Sequence, residues 1–185
     1  MQIELDLNPA CSRWEVIKEC VDKYSIEVKR IVEIGVYYGD MSNEMRKIFP
    51  EAELYLIDPW QRYHQYDTIG GNVWSNDAED AYLKVVKHFA GDENTFVLRM
   101  SSEEAAKYID GPFDIVFIDG NHSYEFVLND IKSWMPKIPA GGLICGHDYA
   151  RHGNAFGVKK AVTEMFRNDH FAVTVDQDDV WLKLV

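Results

Sequence analysis

Acidic and histidine side chains follow two apolar runs that have the character of buried strands. Asp119 comes directly after the run 115–118. His147 and Asp148 follow the run 143–145 after one glycine. The carboxyl ends of neighbouring parallel strands lie about 4.8 Å apart at one edge of a sheet, so these side chains can converge. Two carboxylates and an imidazole suit Mg²⁺, Mn²⁺, Fe²⁺ or Zn²⁺ and leave positions open for substrate oxygens. The sequence therefore predicts a catalytic cation site at Asp119, His147 and Asp148.

A second motif suits a cofactor that contains a ribose. Glu33 ends a predicted strand, and Gly35 and Gly39 lie in the turn that follows, where glycine lets the backbone approach a ligand. The pattern Gly-x-x-x-Gly differs from the Gly-x-Gly-x-x-Gly spacing that presents helix amides to a pyrophosphate, which favours a cofactor without phosphates. Asp58 ends the next strand, where a carboxylate can accept hydrogen bonds from both ribose hydroxyls of an adenosyl group.

Each of these features also has a simpler structural interpretation. Acids that follow strands commonly cap the next helix or form a turn, and this applies to Glu33, Asp58, Asp119 and Asp148. His147 can equally be an ordinary hydrogen-bonded histidine. The joint occurrence of the motifs is more specific than any one of them, and it favours a functional site.

Three motifs together resemble a known family. They are Glu-x-Gly-x-x-x-Gly at 33–39, Asp-Gly-x-His-x-Tyr at 119–124, and Gly-Gly followed by Gly-His-Asp-Tyr at 141–149. The set is similar to the class I S-adenosylmethionine-dependent methyltransferases, and among them to the bacterial methyltransferase domain 24 family. That family is similar in turn to metal-dependent O-methyltransferases of catechols and of antibiotic sugars. The resemblance covers roughly residues 30–165.

The resemblance implies roles for individual residues. Glu33 would bind the amino group of the cofactor, Asp58 its ribose, and Trp60 or the turn at Ser101 its adenine. The implied cofactor-binding residues are Glu33, Gly35, Tyr37, Gly39, Asp58, Trp60, Ser101 and Asp119. His122 stands where the related enzymes carry a lysine or histidine base, and an ordinary pKa of about 6.5 suits that role. The implied catalytic residues are therefore His122 and Asp119.

Three positions leave an alternative open. In the catechol group a serine two residues after the second glycine contacts the cofactor carboxylate, whereas this chain has Met41 there and Ser42 as the candidate substitute. In the relatives the first member of the metal-binding pair is an acid or an amide, and here it is His147. Trp60 can also serve as a core residue.

The hydrophobic periodicity predicts an α/β fold. Apolar strands alternate with helical stretches, which is typical of right-handed βαβ crossovers. We expect a Rossmann-like, doubly wound, mostly parallel seven-stranded sheet with a C-terminal antiparallel hairpin. We expect a single domain over residues 1–185, with an N-terminal helix at about 9–29 and a candidate lid at 60–76. The predicted strands are 31–34, 54–57, 96–98, 115–118, 143–145, 171–175 and 180–184. The predicted later helices are 42–49, 77–89, 101–109, 124–135 and 157–166, the third of these with a Ser-x-x-Glu capping box.

Charge and cysteine content limit the class of partner. The 19 Lys and Arg residues against 31 Asp and Glu residues give a formal net charge of −12, which repels phosphate backbones and anionic lipid headgroups. The 3 cysteines include no Cys-x-x-Cys pair, which favours free thiols in a reducing compartment. Neither a signal-peptide pattern nor a run of about 18 apolar residues occurs. We expect a cytoplasmic protein that binds neither nucleic acid nor membrane.

These observations predict an S-adenosylmethionine-dependent O-methyltransferase that acts on a small hydroxylated acceptor, a sugar or a phenol, with help from a divalent cation. Two alternatives stay open. One is a relative that binds metal at the same ligands without catalysis or as a hydroxylase, and the other is a nicotinamide-dependent oxidoreductase, which the glycine pattern disfavours. The aromatic residues of 60–74 would either close over a substrate or form a homodimer contact.

Overall fold

Strands and helices alternate along the chain as predicted. The computed structural model describes residues 11–61, 77–150, 157–174 and 179–185. The strands are β1 (Arg30–Ile34), β2 (Glu53–Ile57), β3 (Thr95–Leu98), β4 (Ile115–Ile118), β5 (Leu143–Gly146), β6 (Ala172–Thr174) and β7 (Val180–Leu184). The helices are α1 (Arg13–Tyr24), α2 (Asp40–Ile48), α3 (Ala78–Phe89), α4 (Ser102–Tyr108), α5 (Tyr124–Trp134) and α6 (Val158–Met165).

The described strands form one seven-stranded sheet in the order β3-β2-β1-β4-β5-β7-β6. Strands β1 to β5 pair in parallel, and β7 is antiparallel to both β5 and β6. The predicted fold class, including the antiparallel pair near the C-terminus, is confirmed. The strand order reverses between β1 and β4, and ligands of open α/β sheets bind in the crevice at such a switch point.

Helices cover both faces of the sheet. Successive strand residues point to opposite faces, so Ile31 packs with α1, α2 and α3 on one side. Val32 packs with α4, α5 and α6 on the other side. Burial of both faces explains why the strands read as continuous apolar runs. The carboxyl ends of β1, β2, β4 and β5 are thereby held side by side on a rigid support.

The N-terminal helix is shorter than the predicted 9–29. It begins after Ser12, whose backbone N–H and hydroxyl both donate to Glu15 Oε2, at 2.8 and 2.7 Å. It ends at Tyr24, and the next residue, Ser25, adopts the left-handed conformation (φ 53°) before the chain leads into β1. The prediction was too long at the C-terminal end because the spacing of apolar residues does not mark a left-handed residue. Its first residues, 9 and 10, lie outside the described ranges.

Two other expectations fall largely outside the described residues. The candidate lid at 60–76 is described only at its first two residues. The turn between β6 and β7 is described only from Asp179 onward. Across the described ranges, no helix combines the length and the apolar character needed to span a membrane.

Candidate active site

The turn after β1 contacts the end of β4. Gly35 has φ +86°, and a Cβ at this position would overlap the carbonyl of Asp119 and lie 2.5 Å from Gly120 Cα. Only glycine permits this approach. Gly39 also has positive φ (+80°) and packs close to Val85. The predicted glycine turn and the predicted cation site therefore share one crevice at the switch point.

Asp58 fastens this turn to the end of β2. Its Oδ2 accepts hydrogen bonds from the backbone N–H groups of Val36 and Tyr37, at 3.0 and 2.9 Å. Its Oδ1 accepts from the backbone N–H of Trp60 at 2.6 Å. Burial raises the pKa of Asp58, although the three amides oppose this shift. The carboxylate thus has a structural role in the turn, and its contact with a ribose stays a prediction.

Glu33 is buried at the end of β1 beside Ser42. The Ser42 hydroxyl donates to Glu33 Oε2 at 2.5 Å, and Ser42 is 0% exposed. Burial raises the pKa of Glu33 to about 8. The hydroxyl of Ser42, the candidate substitute for the family serine, therefore donates its hydrogen bond to Glu33. A buried acid of this kind gains from a cationic partner such as an ammonium group.

The other predicted cofactor residues make local contacts. Tyr37 donates its hydroxyl to Asp77 Oδ2 at 2.9 Å. Trp60 donates its indole N–H to the carbonyl of Tyr37 at 2.8 Å and is 3% exposed. Ser101 forms the predicted capping box at the start of α4, where its hydroxyl accepts from Glu104 N. Core packing thus accounts for Trp60, and the adenine-binding roles of Trp60 and Ser101 stay predictions.

Four side chains meet at the ends of β4 and β5, and we call them the His–Asp cluster: Asp119, His122, His147 and Asp148. His122 Nε2 lies 3.3 Å from Asp119 Oδ1 and 3.0 Å from Asp148 Oδ2. His147 Nδ1 lies 3.6 Å from Asp119 Oδ1 and 3.4 Å from Asp148 Oδ1. The three predicted cation ligands are therefore brought together, and the predicted base lies among them.

Backbone geometry orients the His–Asp cluster. Asp148 adopts a left-handed conformation (φ 55°), which non-glycine residues rarely adopt and which occurs often at functional sites. Gly146 precedes the pair, and a Cβ there would lie 2.7 Å from the Trp181 indole of β7. The carbonyl of His122 accepts from Gly157 N at 2.7 Å, which ties the β4–α5 turn to the start of α6.

Mutual pairing sets the charges of the His–Asp cluster. Burial lowers the pKa of each histidine, but hydrogen bonds and charges of the two carboxylates outweigh it and raise the pKa to about 9 for His122. The same balance gives about 10 for His147. Burial raises the pKa values of Asp119 and Asp148, but the imidazoles outweigh it and hold both below their usual range.

The donor set fits a divalent cation. The ligand atoms of Asp119, His122 and Asp148 all lie within 4.8 Å of one another. Asp148 Oδ1 is buried, and His147 Nδ1 lies 3.4 Å from it. Carboxylate oxygens with one imidazole nitrogen match the preferences of Mg²⁺, Mn²⁺, Fe²⁺ and Zn²⁺. Among the described residues this donor set contains His122, whereas the sequence predicted His147 beside the same two acids.

Arg13 was not predicted at this site. It is the first residue of α1, and its Nη1 donates to Asp119 Oδ2 at 3.0 Å. The two residues lie 106 positions apart in the chain. The Ser12-x-x-Glu15 box marks the start of α1 in the sequence, but no local signal pairs this arginine with an acid so far away.

Comparison with known proteins supports the sequence resemblance. The profile of the methyltransferase domain 24 family, described as a methyltransferase domain, matches residues 32–149. An uncharacterized protein of Sinorhizobium fredii is 26% identical over 141 residues, which make up 73% of this chain and 15% of the relative. An uncharacterized protein of Acanthamoeba polyphaga mimivirus is 24% identical over 136 residues, 74% of this chain and 58% of the relative. The chain spans less than two thirds of the length of both relatives.

Solved structures of methyltransferases share the fold. The O-methyltransferase NovP has a TM-score of 0.68 at 19% identity, over 93% of this chain and 78% of that chain. A methyltransferase of Podospora anserina bound to S-adenosylhomocysteine has a TM-score of 0.67 at 16% identity, over 94% and 79%. The O-methyltransferase TomG from Streptomyces achromogenes, in complex with S-adenosylmethionine, has a TM-score of 0.63 at 17% identity, over 94% of this chain and 79% of that chain.

The family profile covers more than half of the chain. It includes the glycine turn after β1 and both strand ends that carry the His–Asp cluster. The family predicted from the sequence is therefore confirmed. The chain belongs to the methyltransferase domain 24 family.

Proposed function

We propose that this protein transfers the methyl group of S-adenosylmethionine to a hydroxyl of a small acceptor, a sugar or a phenol, with the help of a divalent cation. One observation carries the proposal: the glycine turn and the His–Asp cluster lie against each other, with Gly35 in contact with the backbone of Asp119. A methyl donor held at the turn and an acceptor held at the His–Asp cluster would therefore be neighbours. Such positioning supplies much of the rate of a direct displacement.

The cofactor would lie across the ends of β1 and β2. Glu33 would bind its ammonium group, because a buried acid with a raised pKa is stabilised by a cation. Asp58 would accept a hydrogen bond from a ribose hydroxyl. A carboxylate has about four acceptor sites, and the three backbone amides occupy only three of them. Structural relatives were solved with S-adenosylhomocysteine or S-adenosylmethionine bound, which supports a cofactor of this kind.

Asp119, His147 and Asp148 would hold the divalent cation, as the sequence predicts. When bound, such a cation would act as a Lewis acid that lowers the pKa of the acceptor hydroxyl, and its charge would favour the neutral form of nearby imidazoles. His122 would accept the hydroxyl proton at Nε2, the nitrogen that the structure places between Asp119 and Asp148.

Ligand binding and turnover test this proposal together. S-adenosylhomocysteine should raise the melting temperature of the full chain, because a ligand that binds only the folded state stabilises it by about 2.7 kcal/mol at a hundred times its Kd. A panel of sugars and phenols with radiolabelled S-adenosylmethionine should yield a methylated product in the presence of Mg²⁺ or Mn²⁺. Chelation should abolish turnover and leave S-adenosylhomocysteine binding intact.

Two results would contradict it. A chain that responds to NAD and ignores S-adenosylhomocysteine would refute the cofactor assignment. Full turnover after exhaustive chelation would refute the role of the cation while leaving methyl transfer standing. An Asp58→Ala variant is a poor probe here, because its loss of three amide hydrogen bonds would disturb the turn without any ligand.

A further inference from the structure

The amino-acid end of the proposed cofactor has two charges to satisfy. Its ammonium and carboxylate groups are attached to the same carbon, so their partners must lie close together. Glu33 accounts for the ammonium group in the proposed function. Met41 has no hydrogen-bond donor on its side chain, and Ser42 is fully buried with its hydroxyl directed to Glu33. The carboxylate therefore lacks a partner among the side chains that begin α2.

Acids line this part of the crevice. Burial raises the pKa of Glu33 most, the charges of Asp119 and Asp58 raise it further, and the charge of Arg13 lowers it. A carboxylate that enters beside these acids would be repelled unless a cation were near. Arg13 supplies a permanent positive charge at this point, because a guanidinium keeps its proton in proteins.

The position of Arg13 is fixed from two sides. Ser12 and Glu15 cap the start of α1, and Val16 and Ile17 anchor the helix in the core. At its other end the guanidinium contacts Asp119 at 3.0 Å. The backbone of Asp119 in turn contacts Gly35 in the glycine turn. Arg13 is therefore held beside both the turn and the His–Asp cluster.

We propose that Arg13 binds the carboxylate of the amino-acid end of S-adenosylmethionine. The planar fork of a guanidinium has five donors, so it can contact a ligand carboxylate and Asp119 at once. Arg13 would then be a cofactor-binding residue contributed by α1. It would take the place of the serine that follows the glycine turn in related enzymes. This inference rests on the proposed function, since it needs a cofactor with a carboxylate.

The test compares two ligands that differ only in that carboxylate. Calorimetry on the full chain would measure the Kd of S-adenosylhomocysteine and of its decarboxylated analogue, S-adenosyl-3-thiopropylamine. Arg13→Met should weaken S-adenosylhomocysteine by about tenfold to a hundredfold, the range of charge-assisted hydrogen bonds. It should change the Kd of the analogue by less than about threefold. Arg13→Lys should recover part of the loss.

A matched control comes from the same helix. Lys18 of α1 is half exposed and pairs with Asp22, so Lys18→Met removes one positive charge of α1 without touching the crevice. It should leave both Kd values unchanged. Urea denaturation of each variant reports its folding, and Arg13→Lys keeps the test valid if Arg13→Met does not fold.

Three results would overturn the proposal. Equal losses for both ligands would show that Arg13 only positions Asp119 or the helix. No loss for either ligand would show that the carboxylate has another partner. A wild-type chain that binds neither ligand would refute the proposed function, and the role of Arg13 would fall with it. If the wild type binds both ligands, the third result is excluded, and only the first two results bear on Arg13.

Discussion

Two pairs of carboxyl groups with little solvent exposure have opposite pKa shifts in this protein. Glu33 and Asp130 are 1% and 7% exposed, and burial raises the pKa to about 8 for Glu33 and to about 7 for Asp130. Asp148 is 8% exposed, yet its pKa is lowered, and that of Asp119 is lowered as well. Similar burial therefore gives opposite results.

The hydrogen-bonding and charged partners of the four acids explain why their pKa values shift in opposite directions. Glu33 has Ser42 and Asp130 has Ser102, and a single hydroxyl offsets little of the cost of burial. Asp119 and Asp148 each face both imidazoles of the His–Asp cluster, whose positive charges outweigh that cost. The paired acids stay ionised and are suited to hold a cation. Of the two acids without a charged partner, Glu33 lies in the crevice where a ligand can bring a cation. Asp130 lies on α5, beside Ser102 at the start of α4.

The largest effect is expected at the paired site, for His122→Ala. A positioned base contributes about a hundredfold to ten-thousandfold in rate, so kcat should fall by at least the lower figure. The affinities for S-adenosylhomocysteine and for Mn²⁺ should change little. In the wild type, kcat/KM should rise with pH, because the base acts when deprotonated. With the cation bound, the step should lie below the pKa of about 9 that His122 has without it.

Steady-state kinetics and Mn²⁺ titration of the variant decide between two roles. His170→Ala, at an exposed histidine, is the control and should behave as the wild type. A large loss of Mn²⁺ affinity in His122→Ala would make His122 a cation ligand, as its place in the three-residue donor set allows. Near-normal kcat would remove it from catalysis altogether.

A smaller effect is expected at the unpaired acid in the crevice, for Glu33→Gln. The variant should bind S-adenosylhomocysteine about tenfold more weakly at pH 8, because the ammonium group loses a charged partner. The wild-type affinity should rise between pH 6 and pH 8.5, since Glu33 has a pKa of about 8 and must lose its proton to pair with the ammonium. At pH 6 the two proteins should converge.

Calorimetry across this pH range provides the measurement. Glutamine keeps the size of the side chain and an oxygen for the Ser42 hydroxyl, so the fold is preserved. Wild-type affinity that does not vary with pH, or a variant as tight as the wild type at pH 8, would separate Glu33 from the ammonium group.

The smallest effect is expected at Asp130, for Asp130→Asn. The pKa of Asp130 is raised to about 7, so the folded chain holds a proton that the unfolded chain releases near pH 4. The stability contributed by this group is present below pH 4, falls as the pH rises to about 7, and stays low above that. The amide avoids the loss, so the variant should be more stable than the wild type at pH 9, by on the order of 1 kcal/mol, and equal to it at pH 4.

Urea denaturation of variant and wild type at both pH values measures this difference, with Asp110→Asn at an exposed acid as the control. The comparison at each pH cancels the contribution of His122 and His147. Their raised pKa values make stability fall as the pH rises through about 9 and 10. Equal destabilisation at both pH values would show that Asp130 acts through packing.

Local patterns in the sequence were enough to predict the fold and to predict that Asp119, His147 and Asp148 lie close together. Buried parallel strands read as apolar runs, and the acids after them mark the carboxyl edge. Arg13 and Asp119 could not be paired in this way, because their contact depends on how α1 packs across the sheet. The backbone contacts of Asp58, which join the ends of β1 and β2, could not be predicted from local patterns either. The end of α1 was missed because a left-handed Ser25 leaves no periodic signal.

The contact between Trp181 and Gly146 has a consequence for the order in which the structure forms during synthesis. The ribosome adds β7 after both strands that carry the His–Asp cluster. Until β7 has been added and paired with β5, Gly146 has no indole beside it and the His147–Asp148 turn lacks one side of its support. A nascent chain that stops before β7 should keep the glycine turn after β1, whereas the His147–Asp148 turn, where we propose that a cation binds, would lack the support of Trp181.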